Sequence, residues 1–121
     1  MTELLLAALV LIPMGTARLT WYEPGGKHAA FWHDQTPAGF GDRVDSEHLG
    51  IAAPAHVPFG TKVLLRRVDT GAVVIATVID RTADGRGWDA WVATAYHLGF
   101  GPEYGESDAG VIECQVWEVR G

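Results

Sequence analysis

The sequence predicts a mainly β domain, closed into a small barrel and carrying one short helix. Three observations support this. Runs rich in β-branched and aromatic residues recur along the chain, bounded by Gly, Pro and Asp. One of them, Ala72 to Ile79, is almost wholly apolar and follows the hairpin signal Asp69-Thr70-Gly71. A single stretch, Asp89 to Leu98, has helical spacing. Closing short strands into a barrel removes the bare edges that an open sheet presents to other chains.

The elements follow in order. Leu4 to Met14 is apolar and broken by Pro13. It is too short to span a bilayer, which takes about 20 apolar residues, so no stable membrane span is expected. Two readings stay open for residues 1–17. One is a signal peptide cut after Ala17, favoured by small residues at Gly15-Thr16-Ala17 and opposed by Glu3 with no Lys or Arg near the start. The other is a retained packing segment, either a first core strand or an apolar helix on the barrel. The barrel domain is then residues 18–121. Leu19 to Tyr22 reads as a strand ended by Pro24-Gly25-Gly26. Residues 23–48 read as a long loop, the kind of segment that often carries function. Gly50 to Ala53 is a short apolar run before Pro54, and Thr61 to Val68 is a partly alternating strand. Ala72 to Ile79 is apolar enough to be buried on both faces. In the helix, Trp91, Ala95 and Leu98 share a face and Gly99 is the stop. Gly110 to Val119 is the closing strand.

Bulk composition bounds the function. A chain of 121 residues, 48% of them hydrophobic, suits one domain with one core. The net charge of −6 and the absence of a basic run leave no electrostatic footprint for nucleic acid. Cys114 is the single cysteine, so an internal disulfide is impossible; its apolar neighbours predict a buried thiol. His28, His33, His48, His56 and His97 follow no zinc-ligand spacing, and no phosphate or dinucleotide loop occurs. Neither a metal nor a cofactor is expected.

Two carboxylates remain. Asp80 ends the apolar strand, and Asp89 follows across a Gly-rich loop, between Trp88 and Trp91. Cleaving a glycosidic bond needs a carboxylic acid that stays protonated near neutral pH. Apolar burial or a neighbouring carboxylate achieves that. Each aspartate also has a structural alternative. Asp80 can pair with Arg81 or Arg86, and Asp89 can cap or open the helix. Five tryptophans in so short a chain offer faces for sugars; Trp21, Trp32 and Trp88 sit at strand ends or loops.

The ordered motifs resemble the rare lipoprotein A-like septal lytic transglycosylases. Thr20-Trp21-Tyr22 is similar to that family's Ser-Trp-Tyr, and Val57-Pro-Phe-Gly-Thr-Lys-Val63 to its Leu-Pro-Phe-Gly-Thr-Lys-Val. Asp69-Thr70-Gly71 matches its hairpin, and Val78-Ile79-Asp80-Arg81 its Val-x-Asp-Arg strand end. Trp88-Asp89-Ala90-Trp91 keeps the Asp before the helix, and Ala93, Ala95, Leu98 and Gly99 follow. The likeness covers residues 19–119 and extends loosely to barwin, expansin and family 45 endoglucanases. Gly101-Pro-Glu-Tyr-Gly105 looks like the membrane-bound lytic transglycosylase A branch. Two departures stand out: Thr82-Ala83 replaces Gly-Pro, and Pro54 falls at the ungapped position of the family histidine, two residues before His56.

The resemblance implies a six-stranded double-psi β-barrel and a peptidoglycan lytic transglycosylase. Such an enzyme cuts MurNAc-GlcNAc β-1,4 bonds and leaves 1,6-anhydro ends. It implies Asp80 and Asp89 as catalytic residues, with Tyr22, Trp21, Asp45, His56, Arg81 and Trp88 contacting substrate. Two alternatives are a non-catalytic, expansin-like glycan-binding module and a family 45-like β-1,4-glucan hydrolase. The expected partners are peptidoglycan strands and other cell-envelope or phage tail proteins. The expected setting is the cell envelope, periplasm or exterior, or else a phage tail tip.

Overall fold

The computed structural model describes residues 9–22, 48–82, 87–101 and 110–121. Among these residues the elements are β1 (Val10–Tyr22), β2 (Gly50–Ala53), β3 (Lys62–Arg67), β4 (Val73–Arg81), β5 (Trp88–Trp91), α1 (Val92–His97) and β6 (Ile112–Arg120). The strands close into a barrel in the order β1-β5-β2-β4-β3-β6. β1/β5 and β2/β4 run parallel. The β1/β6, β2/β5, β3/β4 and β3/β6 contacts are antiparallel. The mainly β closed barrel with one short helix is therefore as the sequence predicts.

Alternation fills the interior. Leu19, Ile51, Val63, Leu65, Val78 and Cys114 are fully buried in one cluster with Phe100 and Leu98. Each large aliphatic side chain buried this way contributes about 2 kcal/mol relative to exposure. Burial pushes the Cys114 thiol up to about 11, partly opposed by the Arg67 charge, so it stays protonated and behaves as a small core hydrophobe.

β1 is far longer than the Leu19–Tyr22 strand read from sequence. Residues 10–17 continue it upstream and pair with β6 over most of its length, with a register shift between Pro13 and Gly15. Gly15 takes a φ of 94°, which suits that irregularity.

β4 corrects the expectation of burial on both faces. Its first half alternates, and Val73 and Ile75 point outward, 55% and 44% exposed. An apolar run does not by itself mean two covered faces. Only the second half is covered twice, where Ile79 packs with Trp91 and Val92 in a second small cluster.

The Asp69 hairpin forms as expected. Arg67 N–H donates to Ala72 O at 2.8 Å, Gly71 N–H donates back to Arg67 O at 2.8 Å, and Gly71 has a φ of 80°. Arg67 itself turns inward. Its Nη1 donates to Leu98 O (3.0 Å) and Gly99 O (2.9 Å), while its Nε meets Asp69 Oδ1 at 2.6 Å. One guanidinium thus satisfies carbonyls just past the end of α1 and ties them to the β3/β4 turn.

The helix starts three residues later than its sequence pattern suggests. Trp88–Trp91 is a strand, and α1 begins at Val92 with no acid in its first turn. Asp89 is therefore not a helix cap. Gly99 stops the helix as expected, with a φ of 82° and its N–H on Tyr96 O at 2.9 Å.

Candidate active site

The site is built where three strands run side by side. Ala52 of β2 is the register partner of Asp80 in β4 and also of Asp89 in β5. The two aspartates thus flank one residue in a single row. Their backbones stand two strand spacings apart, about 9.5 Å.

A bulge creates this row. Ile51 pairs with Val78, but Ala52 pairs with Asp80, so Ile79 is an extra residue in β4. Ile79 is buried against Trp91 and Val92. Without the extra residue Ala52 would face Ile79, and Asp80 would fall out of line with Asp89. Bulges beside functional sites re-aim side chains in this way. Gly50 makes room for it. A Cβ there would lie 2.3 Å from Ile79 Cδ1. Thr94 of α1 seals the same corner, its hydroxyl donating to Gly50 O at 2.7 Å.

β4 is also fixed from the other side by the segment between β2 and β3. Gly60 N–H donates to Val78 O (2.8 Å) and Val78 N–H to Thr61 O (2.9 Å). Thr61 N–H closes a turn on Pro58 O at 3.2 Å, with Gly60 at a φ of 86°. A turn with positive φ at its third residue needs glycine there. The Pro58-Phe-Gly-Thr61 motif therefore acts as a clamp on the strand that delivers Asp80.

Asp89 lies in β5 between Trp88 and Ala90. Ala90 beside it points into the barrel core, so Asp89 points outward. It is half-buried, and Thr20 Oγ1 of β1 donates to its Oδ1 at 2.7 Å. Desolvation holds its carboxyl above the usual carboxylate range. The Thr20 hydrogen bond opposes that shift, and the charge of Asp80 adds to it. Asp80 Oδ1 accepts the backbone N–H of Arg81 at 2.8 Å.

The other predicted site residues divide. Arg81 follows Asp80 directly. Its guanidinium lies over the Phe59 ring, 3.9 Å from the centroid, and its Nη1 is buried without a hydrogen-bond partner. His56 is exposed in the turn closed by Val57 N–H on Pro54 O at 3.0 Å, while Pro54 is buried. Trp21 and Trp88 are half-buried against the barrel core, on the opposite faces of their strands from Thr20 and Asp89. Tyr22 ends β1 opposite Trp91. Asp45 lies outside the described residues, as does Arg86.

Thr20, the hydrogen-bond partner of Asp89, stands in the sequence only as the match to Ser in the resembled Ser-Trp-Tyr motif, and the shared hydroxyl is the group that reaches the carboxylate. Among the described residues no three His, Cys, Asp or Glu side chains gather to hold a metal, and no helix is long and apolar enough to cross a membrane. No protein-family model matches the chain, and a search of the curated proteins finds no match either.

Proposed function

We propose that the chain is a peptidoglycan lytic transglycosylase of the rare lipoprotein A-like kind, on a double-psi barrel, with Asp89 as the acid and Asp80 as the second carboxylate of the site. The observation that carries this reading is the shared register partner. Two aspartates from separate strands flank Ala52, and burial, with the charge of Asp80 beside it, holds the Asp89 carboxyl above the usual carboxylate range.

The chemistry follows from that asymmetry. Asp89 gives its proton to the bridging oxygen as the bond to the anomeric carbon breaks and the electron pair moves to that oxygen. Positive charge grows on the sugar ring, and the Asp80 carboxylate stabilises it. Asp89, now ionised, removes the proton of the sugar's own C6 hydroxyl as that oxygen bonds to the anomeric carbon. The product is a 1,6-anhydro end, and no water is consumed. In the related hydrolase reading, the same acid works while the second carboxylate activates water, and the product is a reducing end. The partner is the glycan strand, and the setting is a cell envelope or a phage tail tip.

Digestion of purified sacculi followed by mass spectrometry tests this directly. Anhydromuropeptides are expected; their absence at every pH from about 4 to about 8 overturns the reading, that range bracketing carboxylates with raised pKa values. Reducing ends in their place identify the hydrolase.

One observation favours a second reading, a glycan-binding module without catalysis. The position of the family histidine is taken by Pro54, which is buried, and His56 is exposed in the turn beyond it. That module retains sacculi in a sedimentation assay and releases nothing.

A further inference from the structure

A second row lies one residue beyond the carboxylates. Ala53 pairs with Arg81 of β4. Extending the β2/β5 register by one residue sets Trp88 opposite Ala53, and Trp88 pairs with Leu19 of β1. Arg81 and Trp88 thus flank Ala53 as Asp80 and Asp89 flank Ala52. Ala53 and Leu19 belong to the barrel core, so this row lies on the inner face, at the end of the barrel where β2 and β4 stop. It adjoins the carboxylate row.

Two donors at that end are buried and idle. Arg81 Nη1 and, on the next residue, Thr82 Oγ1 are both shut off from solvent, and among the described residues neither atom has a hydrogen-bond partner. A donor in that state has lost water without gaining an acceptor, which costs stability. Such groups are rare enough that each calls for a reason. The Arg81 guanidinium is braced: it lies over the Phe59 ring, 3.9 Å from the centroid, and Phe59 belongs to the turn that clamps β4. Its donors are therefore placed before any ligand arrives. Beside them the Phe59 ring stays 41% exposed.

What the two donors lack is an acceptor with two lone pairs. A carboxylate suits a guanidinium but not this position. Asp80 directly precedes Arg81, and its charge already acts on Asp89, so a further anion would be repelled. A neutral carbonyl meets no such repulsion and accepts two hydrogen bonds. We propose that Arg81 and Thr82 form a subsite for the acetamido carbonyl of an N-acetylated sugar, with the acetamido methyl against Phe59. The proposal rests on the glycan-cleaving reading and deepens it: the chain selects N-acetylhexosamine strands over plain glucans through these two donors, and not through the aspartates.

The test is calorimetric binding of two neutral β-1,4 oligosaccharides to the full chain. Chitohexaose carries an acetamido group on every ring, and cellohexaose carries a hydroxyl in its place. The wild-type protein is expected to favour chitohexaose about thirtyfold in Kd, the ratio for one charged and one neutral hydrogen bond. Arg81→Met lowers that preference about tenfold and Thr82→Val about threefold, both through chitohexaose. Thr82→Val also raises the Tm, because it removes an orphaned hydroxyl and keeps the shape. A lower Tm with the preference intact assigns that hydroxyl to the fold and overturns its part in the subsite. Equal wild-type binding of the two sugars, binding of neither, or losses that fall equally on both overturns the subsite as a whole. Digestion of sacculi is read alongside. If sacculi are cut and the preference is missing, the cleavage reading stands without the subsite. If sacculi yield no product, yet chitohexaose is preferred and Arg81→Met removes the preference, the cleavage reading falls and the subsite stands.

Discussion

Asp69 and Asp89 are the same residue type in opposite circumstances. Asp69 sits in the exposed β3/β4 turn with Arg67 at 2.6 Å, and that hydrogen bond, with the Arg67 charge, holds its carboxyl below the usual range. Asp89 has a hydroxyl for a partner and a second carboxylate for a neighbour, and burial holds its carboxyl above that range. The first arrangement stabilises structure: its charge is matched, solvated and tied to a turn. The second stores an imbalance, which stability alone does not reward. A raised carboxyl beside another carboxylate, on the outside of a barrel, marks a candidate for proton exchange, the role proposed for Asp89.

The sharpest way to break the contrast is to neutralise each aspartate. Asp89→Asn and Asp80→Asn are each expected to lower release of anhydromuropeptides by about 10² to 10⁴, the range for loss of general acid–base catalysis. Asp69→Asn is expected to leave turnover unchanged. Initial rates on sacculi check all three. Equal losses at the three positions would falsify the division into a working and a structural carboxylate.

Next in size are the residues that hold the two regions in place. Arg67→Met strands the carbonyls of Leu98 and Gly99 and unties the turn. It is expected to cost about 2–4 kcal/mol, the range for orphaned buried acceptors together with a lost charged hydrogen bond. Gly50→Ala drives a methyl into Ile79, which Trp91 and Val92 confine. Overpacking of this kind costs about 1–3 kcal/mol. Its effect differs from that of Arg67→Met because the bulge shifts Asp80. Urea denaturation gives the stabilities. The comparison to watch is activity per folded molecule, which Gly50→Ala reduces and Arg67→Met leaves intact.

The two regions were unequally legible in the sequence. Asp69-Thr70-Gly71 and Gly99 announce themselves because their chemistry is local: a turn or a helix end needs a positive φ, and glycine supplies it. β5 was hidden. Trp88-Asp89-Ala90-Trp91 continues the spacing of the helix that follows, and what makes it a strand is pairing with β1, 69 residues away at the Thr20–Asp89 contact. The barrel class survived that error because the other strands demanded closure. Asp80 could be named as a candidate from its place at the end of an apolar strand, and Asp89 from its place between two tryptophans after a Gly-rich loop. Their common row could not, because it depends on a single bulged residue, Ile79, whose role is set by Gly50 and α1.

Stability against pH separates the two carboxyls by sign. Asp89 has a folded pKa above its unfolded one, so its contribution is fully present below the unfolded pKa and is lost as pH rises through the folded one. Asp89→Asn is therefore expected to raise the Tm at neutral pH and to have little effect in acid. Asp69, whose folded pKa is depressed, contributes above its unfolded pKa, and that contribution disappears as pH falls through the folded one. Asp69→Asn should lower the Tm slightly at neutral pH and converge with wild type in acid. Melts from about pH 3 to about pH 8 cover both windows. Curves that move in the same direction for both variants would remove the distinction.

The smallest expected effect tests the cause of the Asp89 shift. Thr20 Oγ1 donates to Oδ1, which favours the ionised form, whereas the charge of Asp80 disfavours it. Thr20→Val removes a donor and keeps the shape, so the Asp89 carboxyl should titrate at still higher pH, and the alkaline limb of the activity profile should move the same way. Asp80→Asn removes a charge, so the Asp89 titration should move down. Carboxyl NMR of selectively labelled protein reads both shifts even where activity is gone. Opposite displacements mean that Asp89 is poised between a hydroxyl and a carboxylate. If Thr20→Val moves the titration and Asp80→Asn does not, the two aspartates do not sense each other. The row on either side of Ala52 would then be a matter of backbone register and not of chemistry.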